Sequence, residues 1–324
     1  MKAAPRYPEQ IRNRIAGFAQ LGLPAVIELH LFGLEELHEG LQRTVEACRA
    51  FEGVEYIVHI PLTDKASGYI FDVQTESGKH IRAALDLCTL INAKELVLHR
   101  CFGFDKGFTK AEAERGFQEK VRLWDGWARE KGVHIVYENY GFVWLPQGLG
   151  KDHLVSPLDH FFPWDMAGFT GFVKKNDLKN TGMLLDLAHA CLSANMFNLL
   201  KADPGFSGDP RFGNIYPEDL ARSACLRVED FLVEGIEYFH VSDAYVWQAA
   251  AGVGDVKKYL YTEGLPVGKG TIGYPVILDR LKGGKTLVME IEPEHGDHVN
   301  NQAQLTGAKL FRDRYFKEGE FLCA

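Results

Sequence analysis

Seven short apolar runs, with helical patterns between several of them, constrain this chain more than any other feature. They are AVIELHLF at 25–32, YIVHIPL at 56–62, ELVLH at 95–99, VHIVYEN at 133–139, GMLLDL at 182–187, IEYFHVS at 236–242 and TLVMEIE at 286–292. Each is rich in Val, Ile, Leu and Tyr and short, which suits a parallel strand buried on both faces. Residues 33–51, 78–93 and 110–132 carry apolar side chains at helical spacing, and Gly132 supplies a breaker before the next run. Strand–helix alternation of this kind implies parallel βαβ units. A (β/α)8 barrel takes roughly 250 residues, more with insertions. The chain has 324, so the pattern predicts an α/β fold with one (β/α)8 barrel domain over 1–324. The remaining strand has to precede residue 25, where Pro5 and Pro8 break any strand pattern in MKAAPRYPEQ. The first strand is therefore expected to be weak or missing.

Two connections are long: residues 140–180, which hold Phe142, Trp144, Phe161, Phe162, Trp164, Phe169 and Phe172, and residues 195–216, rich in Gly, Pro and Asp. Both follow the C-terminal end of a strand, the catalytic face of a barrel, and long loops there are often functional. The first is expected to fold over the barrel mouth. An aromatic satellite cluster or an oligomer contact is the plainer alternative.

Composition narrows the partners. A formal net charge of −8 opposes non-specific nucleic-acid binding, which needs Lys and Arg to replace phosphate counterions. Cys48, Cys88, Cys101, Cys191, Cys225 and Cys323 form no C-x-x-C pair and read as reduced thiols. The N-terminus lacks an apolar signal core, and no run approaches the roughly 20 apolar residues of a membrane helix. A soluble cytoplasmic protein with a small-molecule partner is expected, with no nucleic acid and no membrane; a homo-oligomer is left open.

The chemistry lies in polar residues set inside apolar strands. His59, His99, Glu138, Asp186, His240 and Glu290 fall at corresponding places near the ends of six runs. A buried carboxylate is costly unless paired or bound to a cation, and barrel strands all open onto one mouth. One such residue is usually a satisfied core group; six convergent ones point to a site.

The segments HIP (59–61), VLH (97–99), YEN (137–139), LLDLAH (184–189), HVSD (240–243), VGKGTIG (267–273) and LVMEIEP (287–293) resemble, in order, those of the xylose-isomerase-like TIM-barrel superfamily. That superfamily includes sugar isomerases and epimerases and the endonuclease IV class. The resemblance implies a metal site of Glu138, Asp186, His240 and Glu290. Three carboxylates and one imidazole suit Mn²⁺ first, with Mg²⁺, Co²⁺ or Zn²⁺ as alternatives. Glu292 shares strand parity with Glu290 and is its rival. His59 and His99 would hold a second metal, as in the endonucleases, or would touch substrate or move protons. His189 would bind substrate or a further metal. The endonucleases' third zinc pair aligns with Thr262 and Gly264, so that site is missing. Glu28 and His30 share the first clear run, with Glu28 read as an ion-pair or supporting acid. The glycines of VGKGTIG would approach a ligand oxygen or phosphate, or simply form a turn.

These readings predict a divalent-metal-dependent sugar or polyol isomerase or epimerase for a carbohydrate substrate. Glu138 and Glu290 would transfer protons beside a carbonyl through an enediolate. A lyase on the same barrel, an endonuclease IV-like phosphodiesterase and a non-enzymatic sugar-binding barrel are the alternatives.

Overall fold

The apolar runs become strands in the order in which they occur. The computed structural model describes residues 1–61, 63–64, 68–69, 77–99, 110–141, 162–203, 205, 217–249, 256–281, 286–292 and 297–315. Strands β1 (Lys2–Ala3), β2 (Val26–His30), β3 (Glu55–His59), β4 (Glu95–His99), β5 (His134–Glu138), β6 (Thr181–Asp186), β7 (Ile236–Val241) and β8 (Thr286–Met289) lie side by side in chain order. Every neighbouring pair is parallel. Helices α1 (Pro8–Leu21), α2 (Leu41–Arg49), α3 (Ser77–Ile91), α4 (Lys110–Lys131), α5 (Pro163–Lys175) and α6 (Leu187–Ala202) connect them through β6, and further helices follow. This is a nearly closed (β/α)8 barrel. A two-strand hairpin, Thr63–Asp64 with Gly68–Tyr69, stands apart from it. No described helix is long and apolar enough to cross a membrane.

The first strand is present, although only two residues long. Lys2 and Ala3 pair with Glu28 and Leu29, and the Glu28 N–H donates to the Met1 carbonyl at 3.0 Å. Pro5 limits β1, as its missing donor requires, but does not prevent it. On the other side, the Lys2 N–H donates to the Gln304 side chain at 3.0 Å. A side chain from the helix Gln302–Tyr315 thus satisfies a group facing the β1–β8 seam, where no ladder is recorded among the described residues.

The two long connections also differ from expectation. Residues 163–175 are helix α5, with Met166, Phe169 and Phe172 buried at helical spacing. Phe169 meets Tyr137 of β5 and Phe117 of α4 at ring-centroid distances of 5.2 and 5.6 Å. Phe162 stacks on Trp164 at 4.8 Å. These aromatics fill the layer between sheet and helices instead of covering the mouth. A helix buries such a row more completely than a loop could, because its own bonds satisfy the backbone. Phe142, Trp144 and Phe161 lie outside the described residues. Likewise α6 runs to Ala202, so the Gly/Pro/Asp-rich connection begins later than 195.

Inside the barrel, Val26, Ile57, Val97, Val136, Leu184, Tyr238 and Val288 form a small apolar cluster separate from the main core. Burying each aliphatic side chain there contributes about 1.5–3 kcal/mol. Two residues further along each strand stand Glu28, His59, His99, Glu138, Asp186, His240 and Glu290. A strand returns to the same face every second residue. The apolar layer is thus a floor, and the polar layer rests on it.

Candidate metal centre and active site

Glu138 occupies the middle of the polar layer. Ligand-capable atoms of Glu138, Asp186, His240 and Glu290 all lie within 4.8 Å of one another, and those of His59, His99 and Glu138 do the same. The structure therefore brings together all six strand residues singled out in the sequence, in two groups sharing one carboxylate. Glu138, Asp186 and His240 are at most 1% exposed, and Glu290 is partly buried.

His240 organises the first group. Its Nδ1 lies 3.1 Å from Glu138 Oε1 and 2.5 Å from Glu290 Oε2, and its Nε2 lies 2.9 Å from Glu28 Oε2. Burial opposes an imidazolium here, but the attraction of Glu138, Glu28 and Glu290 wins and raises its pKa well above the ordinary value. Burial likewise pushes against the ionised forms of Glu28 and Glu138. His240, with Lys2 for Glu28 and His99 for Glu138, reverses that and holds both well below the usual carboxylate range. Asp186 moves the other way. Burial raises its pKa to about 6, with Glu290 and Glu138 adding to the shift against His189.

Around Asp186 the backbone is clamped. Its N–H donates to Asn139 Oδ1 at 2.6 Å, and Asn139 Nδ2 donates back to its carbonyl at 3.1 Å. Asp186 also caps α6 by accepting from the His189 N–H at 2.6 Å. The cap fixes where His189 leaves the strand. His189 Nδ1 then lies 3.3 Å from Glu138 Oε1 and 3.0 Å from the Asn139 carbonyl.

In the second group, His59 Nε2 and His99 Nε2 lie 3.1 Å apart, at 3.5 and 3.3 Å from Glu138 Oε2. His99 is kept neutral: burial lowers its pKa to about 3 despite Glu138. Glu292 stands apart from both groups. Its N–H donates to the Gly264 carbonyl at 2.8 Å, and it lines a cavity at the seam beside Glu290.

Two parts of the site, Lys2 and Glu263, escape the sequence reading, and a third, Glu28, carries more than the supporting role expected of it. Lys2 reaches in from β1, its ammonium in contact with Glu290 Oε1 and 3.5 Å from Glu28 Oε1. Nothing in a two-residue strand followed by prolines announces such a role. Glu28 proves central, accepting from Tyr238 at 2.6 Å besides facing His240, His59 and Lys2. Its +2 spacing from Val26 was the available signal. Glu263 lies between the two positions compared with the third zinc pair, and its Oε2 approaches His189 Nε2 at 3.4 Å. Burial raises the Glu263 pKa to about 7.

The glycine loop resolves to an internal turn. The N–H groups of Ala244, Gly268 and Ile272 donate to the Asp243 carboxylate at 2.9, 2.8 and 3.1 Å. A Cβ at Gly270 would overlap the Ala244 carbonyl oxygen and Asp243 Oδ1. Gly270→Ala is therefore expected to lower stability by about 3 kcal/mol, read as a shifted denaturant midpoint. An unchanged midpoint would show that the loop accommodates the methyl group.

With this geometry in view, the comparisons are direct. The chain matches the family described as xylose isomerase-like TIM barrel over residues 16–314, and it belongs to that family. No curated protein matches it by sequence. Among solved structures, a D-tagatose 3-epimerase-like protein superposes with a TM-score of 0.57 at 16% identity, covering 96% of this chain and 95% of the other. The 3-keto-D-glucoside 4-epimerase YcjR from E. coli gives 0.55 at 15%, covering 95% and 98%. The IolI protein with a bound zinc atom gives 0.58 at 14%, covering 96% and 97%. At such identities these likenesses establish the fold.

Proposed function

We propose that this protein is a divalent-metal-dependent sugar or polyol isomerase or epimerase that moves protons beside a substrate carbonyl. The observation that carries the reading is the convergence of Glu138, Asp186, His240 and Glu290 on one buried point. Their donor set fits a cation. Glu138 Oε2 is buried without a hydrogen-bond partner, three carboxylates share this point with one imidazole, and crowded buried carboxylates are costly unless positive charge faces them. Three carboxylates and one imidazole suit Mn²⁺, Mg²⁺ or Co²⁺, and a structural neighbour carrying zinc supports Zn²⁺ as well. When bound, the ion supplies Lewis-acid polarisation of the carbonyl.

The chain's own residues do the rest. Glu138 and Glu290 stand on β5 and β8, and one of them removes the proton beside the carbonyl, leaving an enediolate. Both are held below the usual carboxylate range, Glu290 by Lys2 and His240, so both are anions at neutral pH. That charge state favours return of the proton to a neighbouring carbon by one carboxylate. Epimerisation would need the second carboxylate to start protonated beside Lys2. His189, fixed by the Asp186 cap and facing Glu263, orients substrate hydroxyls. His59 and His99 either do the same or complete a second cation site with Glu138.

The test is solvent exchange. In D₂O the Mn²⁺-loaded enzyme is expected to place deuterium on the carbon beside the carbonyl of a ketose, and Glu138→Gln is expected to block it. Turnover without exchange would replace this mechanism by a hydride shift or hydrolysis. The His59–His99–Glu138 group also supports an endonuclease-like phosphodiesterase as a second reading. The acidic chain and the Thr262 and Gly264 replacements count against it. Cleavage of abasic-site DNA by the zinc-loaded protein would decide for it.

A further inference from the structure

Two buried carboxylates, Glu28 and Glu138, face each other through a pair of imidazoles. His240 places Nε2 2.9 Å from Glu28 Oε2 and Nδ1 3.1 Å from Glu138 Oε1. His59 places Nδ1 3.1 Å from Glu28 Oε1 and Nε2 3.5 Å from Glu138 Oε2. The four side chains close a ring, each at most 2% exposed, with the two imidazole centroids 5.9 Å apart. His240 belongs to the first convergent group and His59 to the second, whereas Glu28 is in neither.

Glu28 therefore stands behind both imidazoles instead of beside an ion. An ionised carboxylate only accepts hydrogen bonds, so a ring nitrogen that bonds to it has to carry the hydrogen. Glu28 Oε2 accepts from the Tyr238 O–H at 2.6 Å and bonds to His240 Nε2. A neutral His240 thus keeps its hydrogen on Nε2 and turns the Nδ1 lone pair toward Glu138, Asp186 Oδ2 and Glu290 Oε2. His59 is arranged in the opposite sense. Its Nδ1 and Glu28 Oε1 are buried, and neither has a hydrogen-bond partner elsewhere. A buried donor and acceptor facing each other in this way are the ready pair. With Nδ1–H directed at Glu28, the Nε2 lone pair of His59 points toward Glu138. Turning either ring over about its Cβ–Cγ bond would present carbon to both carboxylates. Lys2 Nζ, 3.5 Å from Glu28 Oε1, balances the charge of this carboxylate.

We infer that Glu28 is a positioning residue for the cation site: it fixes the ring and tautomer of His240 so that Nδ1 is the ligating nitrogen, and it turns His59 Nε2 toward Glu138. The inference rests on the metal-dependent reading and adds to it the group that decides which nitrogens face inward. One carboxylate thereby ties the two convergent groups together.

Two measurements on the full chain test it. In the Zn²⁺-loaded protein with ¹⁵N-labelled histidine, the His240 ring is expected to be bound through Nδ1 and to show a slowly exchanging Nε2–H. Ligation through Nε2 overturns the inference without any variant. Mn²⁺ is then titrated calorimetrically into the chelated wild type, Glu28→Met and Glu28→Gln. Glu28→Met removes both acceptors and is expected to bind Mn²⁺ roughly a hundredfold more weakly, whereas Glu28→Gln keeps one acceptor and is expected to lose roughly tenfold. The slowly exchanging Nε2–H is expected to vanish in Zn²⁺-loaded Glu28→Met. Wild-type affinity in both folded variants overturns the inference, even if their thermal stability falls, because Glu28 would then serve packing alone; the metal-dependent reading would stand. Failure of the wild-type chain to bind any divalent ion overturns both. If neither variant folds, the wild-type spectrum decides.

Discussion

Glu138→Gln is expected to lower kcat by about a thousandfold or more while the barrel stays folded. A positioned general acid or base contributes typically 10²–10⁴-fold, and Glu138 belongs to both convergent groups. The amide keeps the volume and one acceptor oxygen but cannot take a proton near neutral pH. It also presents an NH₂ group where His240, His189, His59 and His99 now face carboxylate oxygens. Loss should therefore extend to metal retention, measured by elemental analysis after dialysis. Glu290→Gln is expected to be comparably inactive, whereas Glu292→Gln should be mild, because Glu292 lies outside both groups. If Glu292→Gln were dead and Glu290→Gln nearly normal, Glu292 would be the working carboxylate. Unchanged kcat in Glu138→Gln would remove the two-carboxylate mechanism altogether.

Uptake of Mn²⁺ at pH 7 is expected to release about one proton per ion, since a ligating imidazole has to be neutral. Without metal, His240 is an imidazolium among Glu138, Glu28 and Glu290, its pKa raised well above the ordinary value. The ion takes over the charge-balancing role of that proton. Titration calorimetry in buffers of different ionisation enthalpy reads the number directly, and zero release would contradict the assignment of His240 as a ligand. The sign carries into stability. A histidine raised on folding stabilises fully below its unfolded pKa of about 6.5, and this contribution is lost as pH rises through the folded value. Glu28 and Glu138, depressed on folding, stabilise above about pH 4.3 and lose that as pH falls through their folded values. Asp186, raised to about 6, has the opposite sign from these carboxylates, and its contribution falls as pH rises from its unfolded value toward 6. His99, its pKa lowered to about 3 on folding, costs stability as pH falls below its unfolded value of about 6.5, so the chelated protein is expected to be most stable near pH 6–7 and to weaken toward pH 9. The Mn²⁺-loaded protein should hold its stability over the alkaline side, read by thermal unfolding.

The polar layer shows how far the sequence could be read. From Val26–Glu28 to Val288–Glu290, an apolar interior residue is followed two positions later by a polar one. Strand geometry makes that spacing legible without coordinates, which is why His59, His99, Glu138, Asp186, His240 and Glu290 could be named in advance. Gly132, with φ 64°, ends α4 where a breaker was expected. The aromatic segment was harder. Met166, Phe169 and Phe172 carry a helical spacing, but glycines and a broad apolar distribution blur the period, so the segment reads as loop.

By itself the sequence determined seven of the eight strands, their parallel order and the six polar side chains at their ends, because these follow from local periodicity and the rule that parallel strands need crossovers. Tertiary structure alone decided which charges meet. Lys2 touches Glu290 across 288 positions of sequence, Glu28 meets His240 across 212, and Asp243 fills a loop that sequence left open to phosphate. Electrostatic partners are set by distances of a few ångströms between remote segments, and no periodicity along the chain encodes them.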